Sequence, residues 1–212
     1  MPSSRNAGVP YFSQWESPEL VEDILSGRIR TEDDPAWSAS GASTPEDYAF
    51  WSWRGCGIAC LRMILAHSGV TPPPAMVFMR ELETAGAYRR DGDRVAGMIY
   101  QPFVDYLSTQ SWGLEATSVA PLPLDQLSDH MTAPDCFAMV SVHASIRDAE
   151  SGTPPPIRIG GHLVLVTDCT DEGVMFHNPS GRTKVTQSGV SMEWETFDRY
   201  FAERGILLTA HG

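Results

Sequence analysis

The chain has 212 residues, 42% of them apolar, and a formal net charge of −12 from 15 basic and 27 acidic side chains. That length and apolar share suffice for a buried core, while the acidity and lack of any long basic cluster argue against a partner such as nucleic acid or an anionic membrane. No apolar run reaches the ~20 residues that span a bilayer, Met1 to Pro10 lacks the basic and apolar regions of a secretory signal, and four cysteines are too sparse for a disulfide scaffold. These features predict a soluble, intracellular protein whose thiols stay reduced.

In chain order, Val9-Pro10-Tyr11-Phe12-Ser13-Gln14-Trp15 reads as a short extended segment, because its proline and aromatics suit an edge strand better than a helix. Residues 16–50 form a mixed insert. Within it, Pro18 to Ile29 has a helical pattern with Leu20, Ile24 and Leu25 on one side, and Ser38 to Thr44 is rich in small residues. Thr44-Pro45-Glu46-Asp47 predicts a helix start: a threonine cap, proline in the first turn, acids next. From Cys56 to His67, Ile58, Leu61, Ile64 and Leu65 recur at helical spacing, and Ser68-Gly69 ends the run. Pro72-Pro73-Pro74 leads into a second helix, Ala75 to Thr84, and Ile99 to Thr109 reads as a third. The polar, turn-rich stretch Gly86 to Gly97 between them suits the border of a cleft.

The second half changes character. Glu115 to Val119 alternates like a strand, Leu124 to Met131 reads as a short helix, and Cys136 to Val142 is a buried-strand run. After a loop with Pro154-Pro155-Pro156, His162 to Cys169 and Gly173 to His177 predict two strands joined around Asp171-Glu172-Gly173. Trp194 to Glu203 is read as helix, and Ile206 to Thr209 as a last short strand. Helices followed by antiparallel strands give an α+β class. A single unit over 1–212 is expected, with a helical lobe at about 9–110 and a sheet lobe at about 111–212.

The residues that carry chemistry start with Cys56. It lies between Gly55 and Gly57 at a helix start, where free N–H groups and the positive dipole end favour a thiolate. Packing of the helix start is the ordinary alternative for such a cysteine. Cys60, one turn on, reads as core, and the spacing of the two supports no metal or other cofactor. His162, after Gly160 and Gly161, is the candidate base: a thiol needs a partner of near-neutral pKa to take and return its proton. Bare backbone at Gly160 and Gly161 lets substrate lie close to the ring; a strand-edge histidine bonded to backbone is the other reading. The hairpin brings Asn178 beside His162, where its side chain can fix the ring and tautomer. Asp168 shares the face of His162, but six residues of strand carry it about 20 Å away. His177 points to the opposite face. Gln14 is a candidate oxyanion donor with the Cys56 N–H. Trp15, Trp51 and Trp53 either wall the cleft or pack.

Cys56-Gly57-Ile58-Ala59-Cys60-Leu61-Arg62-Met63-Ile64-Leu65, Gly160-Gly161-His162-Leu163-Val164-Leu165-Val166 and Asn178-Pro179 together resemble the bacteriocin-processing, double-glycine-leader peptidase-like family of the papain-like cysteine peptidase clan. Val9-Pro10-Tyr11-Phe12-Ser13-Gln14 is similar to that family's opening motif. The resemblance spans roughly residues 9–208. It implies a papain-like fold with the site in a cleft between helical lobe and sheet, Cys56 as nucleophile, His162 as base, Asn178 as orienting residue and Gln14 at the oxyanion hole. It departs from the family at Gly55, often aspartate there, at Asn178, commonly aspartate, and in the insert 16–50. The chain is expected to carry no transporter segment.

The expected activity is that of a cysteine peptidase or amide hydrolase working through an acyl thioester on Cys56, with a peptide or small amide or thioester as substrate. Capture of the same intermediate by an amine or thiol defines the alternative, an acyltransferase, transpeptidase or cyclase. An idle papain-like binding module is the third reading, and it predicts loss of a triad member. An insert closing over the cleft as a lid favours a dedicated substrate.

Overall fold

A computed structural model of the chain describes Asn6, residues 8–151 and residues 159–211; the loop expected at Pro154-Pro155-Pro156 lies outside them. The first half carries α1 (Val21–Leu25), α2 (Pro45–Ser52), α3 (Cys56–His67), α4 (Ala75–Thr84), a small hairpin of β1 (Arg90–Asp91) and β2 (Arg94–Val95), and α5 (Tyr100–Ser108). The second half carries β3 (Leu114–Val119), α6 (Leu124–His130), β4 (Cys136–Val142), β5 (His162–Cys169) and β6 (Gly173–His177). It ends with α7 (Lys184–Gln187), β7 (Val190–Glu193), α8 (Trp194–Tyr200) and β8 (Phe201–Ala210).

Six strands form one sheet in the order β3-β8-β4-β5-β6-β7, every neighbouring pair antiparallel. All residues of β4 and β5 are buried, because helices cover both faces of the sheet centre. Alternate residues divide between the two sides. Leu163, Leu165, Met139 and Ile206 join Ile58, Leu61 and Phe103 of α3 and α5 in one core. Val164, Val166, Val140 and Phe176 join Leu127 and Phe197 of α6 and α8 in the other. In α3 every residue from Gly57 to Leu65 is buried, so this helix is enclosed all round. The architecture is the α+β, papain-like arrangement of a helical layer on an antiparallel sheet.

Helix α2 begins as its sequence dictates: the Thr44 side chain accepts a hydrogen bond from the Asp47 N–H, with Pro45 in the first turn. Three expectations about secondary structure need correction. The helix expected from Pro18 to Ile29 stops at Leu25, because Gly27 turns the chain at φ +73°. The segment from Val9 to Trp15 joins no sheet; it is held instead by the turn after β6, through Ser13 Oγ and the Gln14 N–H donating to the Pro179 carbonyl (both 3.0 Å). The helix expected to run to Glu203 ends at Tyr200, and the last strand is ten residues long and central, between β3 and β4. The polar pair Glu203-Arg204 masks that strand in the sequence. It coincides with a break in the β4–β8 register after Val140 and with a left-handed φ of 48° at Glu203.

The insert 16–50 is a packed layer and not a lid. Its centre is Asp34, fully buried, whose carboxylate accepts hydrogen bonds from Ser17 Oγ, the Ala36 N–H (2.9 Å) and the Tyr48 hydroxyl. Tyr48 in turn accepts from the Glu16 N–H at 2.8 Å.

Candidate active site

Cys56 is the first residue of α3, reached through a tight turn in which the Gly55 N–H donates to the Ser52 carbonyl (3.1 Å). Cys56 lines a cleft of about 780 Å³ together with His162, Gln14, Trp53 and Gly161. Helix α3 presses close to β5 here: a Cβ at Gly57 would stand 2.5 Å from Met98 Cε and 3.0 Å from Leu163 Cδ1. Burial pushes the Cys56 thiol above its ordinary range, opposed by the N–H groups of Leu163, Gly57 and Cys56 itself and by the charge of Arg147. Cys60 lies fully buried one turn on, its sulfur 3.9 Å from the Leu163 carbonyl. All four cysteines are free.

His162, the first residue of β5, is buried, and its Nε2 lies 2.8 Å from Asn178 Oδ1. The Ser180 backbone N–H donates to that same Asn178 atom at 3.1 Å, so the atom is the amide oxygen. Nε2 therefore carries the ring proton and Nδ1 the lone pair. Among the described residues Nδ1 has no hydrogen-bond partner. Burial, helped by the Arg147 charge, pushes the His162 pKa down to about 3, against the pull of the Asn178 hydrogen bond. The ring is thus an uncharged base. The hairpin explains how Asn178 arrives: β5 and β6 turn at Thr170–Gly173, with Leu165 opposite His177, so residue 178 falls beside the start of β5.

Gln14 lies buried at the cleft wall beside Gly55, and its Nε2 donates to the Ser52 carbonyl at 3.0 Å. That bond uses one amide hydrogen and leaves the second for a ligand. The structure thus brings Cys56, His162 and Gln14 to one cleft and Asn178 to the ring of His162. The other expected residues divide. Trp53 is 46% exposed and lines the cleft, its indole N–H donating to Thr31 Oγ1 at 2.9 Å. Trp15 does not line it; at 1% exposure it packs edge-on beneath Trp53 with ring centroids 5.1 Å apart. Trp51 is also core. Gly161 lines the cleft with open space where a side chain would be, whereas Gly160 is pressed onto the sheet, where a Cβ would stand 2.0 Å from Ser141 Oγ. His177 faces away: its Nε2 lies 3.0 Å from the Val9 carbonyl and its Nδ1 accepts from the Gly189 N–H.

Several residues of the site lie outside those expected from the sequence. Ser180 Oγ lies 3.1 Å from His162 Nε2 and 3.3 Å from Asn178 Oδ1. Its place two residues after Asn178 in an Asn-Pro-Ser turn was the available signal, since such turns fold side chains back on the backbone. Arg147 and Arg204, which also line the cleft, come from distant segments with no local pattern.

Among solved structures, a C39-like peptidase from Bacillus anthracis matches with a TM-score of 0.51 at 14% identity, over 75% of this chain and 90% of that one. The peptidase domain of Streptococcus ComA, a bifunctional ABC transporter of a quorum-sensing pathway, aligns with a TM-score of 0.48 at 18% identity, over 75% and 93%. A double-glycine-motif protease from an AMS/PCAT transporter, crystallised with its leader peptide, aligns at 0.47 and 16%, over 74% and 86%. No protein-family profile matches the sequence, and no curated protein does. The chain has the papain-like fold of C39-like peptidases. Among the described residues, no helix is long and apolar enough to cross a membrane.

Proposed function

We propose that this protein is a cysteine peptidase or amide hydrolase that works through an acyl thioester on Cys56. The observation that carries the reading is the 2.8 Å contact of His162 Nε2 with Asn178 Oδ1, which leaves the basic Nδ1 free in a ring that shares its cleft with the Cys56 sulfur. In the first step the sulfur attacks the carbonyl carbon while His162 takes the thiol proton. The oxygen gains the negative charge of the broken π bond, and the free Gln14 amide hydrogen with the Cys56 N–H meets it. Collapse expels the amine, which receives the proton from His162. Water, deprotonated by the same ring, then attacks the thioester and releases the acid and the thiol.

A peptide, or a small amide or thioester, is the substrate class of this chemistry. The helical part at about 9–110 and the sheet part at about 111–212 then act as two walls of one catalytic unit. Mixing the protein with an activated ester and following intact mass tests the reading. A transient adduct on Cys56 that decays in water is expected. Decay only after an amine is added moves the assignment to acyl transfer, and no adduct at all refutes it.

A further inference from the structure

The protein is strongly acidic, yet its cleft is not. Arg54, Arg147 and Arg204 line it, and among the described residues no aspartate or glutamate does. Asp148, whose charge reaches Arg147, is bound by Arg182 at 2.5 and 3.3 Å, and the same Arg182 guanidinium takes Glu22 at 2.8 Å. Arg147 donates its Nε–H to the Ala144 carbonyl (2.9 Å), and its charge reaches both Cys56 and His162. Among the described residues neither Arg147 nor Arg204 has a carboxylate ion-pair partner.

Arg204 sits in a prepared place. The Tyr100 hydroxyl faces the side chains of Ser141 and Arg204. Only the absence of a side chain at Gly160 keeps this corner open, since a Cβ there would stand 2.7 Å from Arg204 Nη2. Half-buried guanidinium groups that no carboxylate of the described residues pairs, with hydroxyls beside them, are a receptor for a planar anion. Resting on the peptidase reading above, the anion is a carboxylate, because that is the anion peptides carry.

We propose that Arg147 and Arg204, with Tyr100 and Ser141, form a carboxylate-binding subsite of the Cys56 cleft, so that the preferred substrate bears a carboxylate near the bond attacked. It comes either from an acidic side chain or from a free C-terminus.

Iodoacetate and iodoacetamide test this, since they differ only in charge and attack the same thiolate; their rate ratio cancels any change in Cys56 pKa. Alkylation of Cys56 is followed by peptide mass mapping, with N-acetylcysteine amide as the free-thiol standard. The iodoacetate-to-iodoacetamide ratio at Cys56 is expected to exceed that of the standard at least tenfold. Arg147→Gln and Arg204→Gln each lower it severalfold, and Arg147→Lys retains most of it. A ratio equal to the standard, or one that neither glutamine variant moves, overturns the subsite. Failure of the peptidase reading shows separately, as an iodoacetamide rate that is the same in wild type and His162→Ala. Protection of Cys56 by N-acetylglutamate amide at its C-terminus points to an acidic side chain, and protection by N-acetylglutamine with a free C-terminus points to the terminal carboxylate. Protection by neither overturns the proposal.

Discussion

His162 gains its chemistry from what surrounds it more than from what it is. Two groups touch its Nε2, Asn178 Oδ1 at 2.8 Å and Ser180 Oγ at 3.1 Å. Cys56→Ser and His162→Ala are each expected to abolish turnover of an activated ester without loss of fold. Asn178→Ala should lower kcat only about tenfold, the rate equivalent of one hydrogen bond of about 1.5 kcal/mol, because Ser180 still holds the ring. Adding Ser180→Ala to it should cost more than the two single losses combined, which a double-mutant cycle on kcat measures. The buried, uncharged ring also shapes stability. Its pKa falls to about 3 in the folded chain from 6.5, so between those values the unfolded chain binds the extra proton, and stability drops as pH falls through that window. Urea midpoints at pH 4 and pH 7 should therefore differ less in His162→Gln than in wild type.

The start of α3 and the start of β5 must nearly touch for the sulfur and the ring to share a cleft. Gly57 makes that approach possible, with only 2.5 Å from its missing Cβ to Met98 Cε and 3.0 Å to Leu163 Cδ1. Methionine can yield, but Leu163 is part of the sheet. Gly57→Ala should cost about 1–3 kcal/mol and lower the iodoacetamide reactivity of Cys56, both read on the same purified variant by thermal melting and by alkylation rate. An unchanged Tm with unchanged reactivity would show that the helix slides freely on the sheet.

Across the molecule, the insert 16–50 braces the site from outside it. None of its residues is among those lining the cleft; it meets cleft residues through Thr31, which holds the indole of Trp53, and through Phe50, whose carbonyl accepts from Arg54 and whose ring lies 4.2 Å from that guanidinium. Its integrity depends on the buried Asp34, to which the Tyr48 hydroxyl donates. Tyr48→Phe removes a donor from a buried carboxylate and should cost about 1–3 kcal/mol in urea unfolding. The Cys56 alkylation rate should stay at the wild-type value. A fall in that rate without a fall in stability would mean that the insert reaches the chemistry by some other path.

The sequence by itself determined the elements whose signals are local. Thr44 caps α2, helical spacing runs from Cys56 to His67 in α3, and Asp171-Glu172-Gly173 turns β5 into β6, which carries Asn178 to His162. Chain order and pairing alone sufficed for that meeting, because a hairpin fixes which residues are opposite. Only the tertiary structure decided the rest. The strand Phe201–Ala210 is hidden by a polar bulge and revealed by its two neighbours. Trp15 and Trp53 look alike in the sequence, but one lies beneath the other. Arg147 and Arg204 reach the cleft from segments far apart in the chain, and Asp148, next to Arg147 in the sequence, is bound by Arg182 of a third segment. Long-range packing sets charge balance and burial, and no local pattern of residues encodes either.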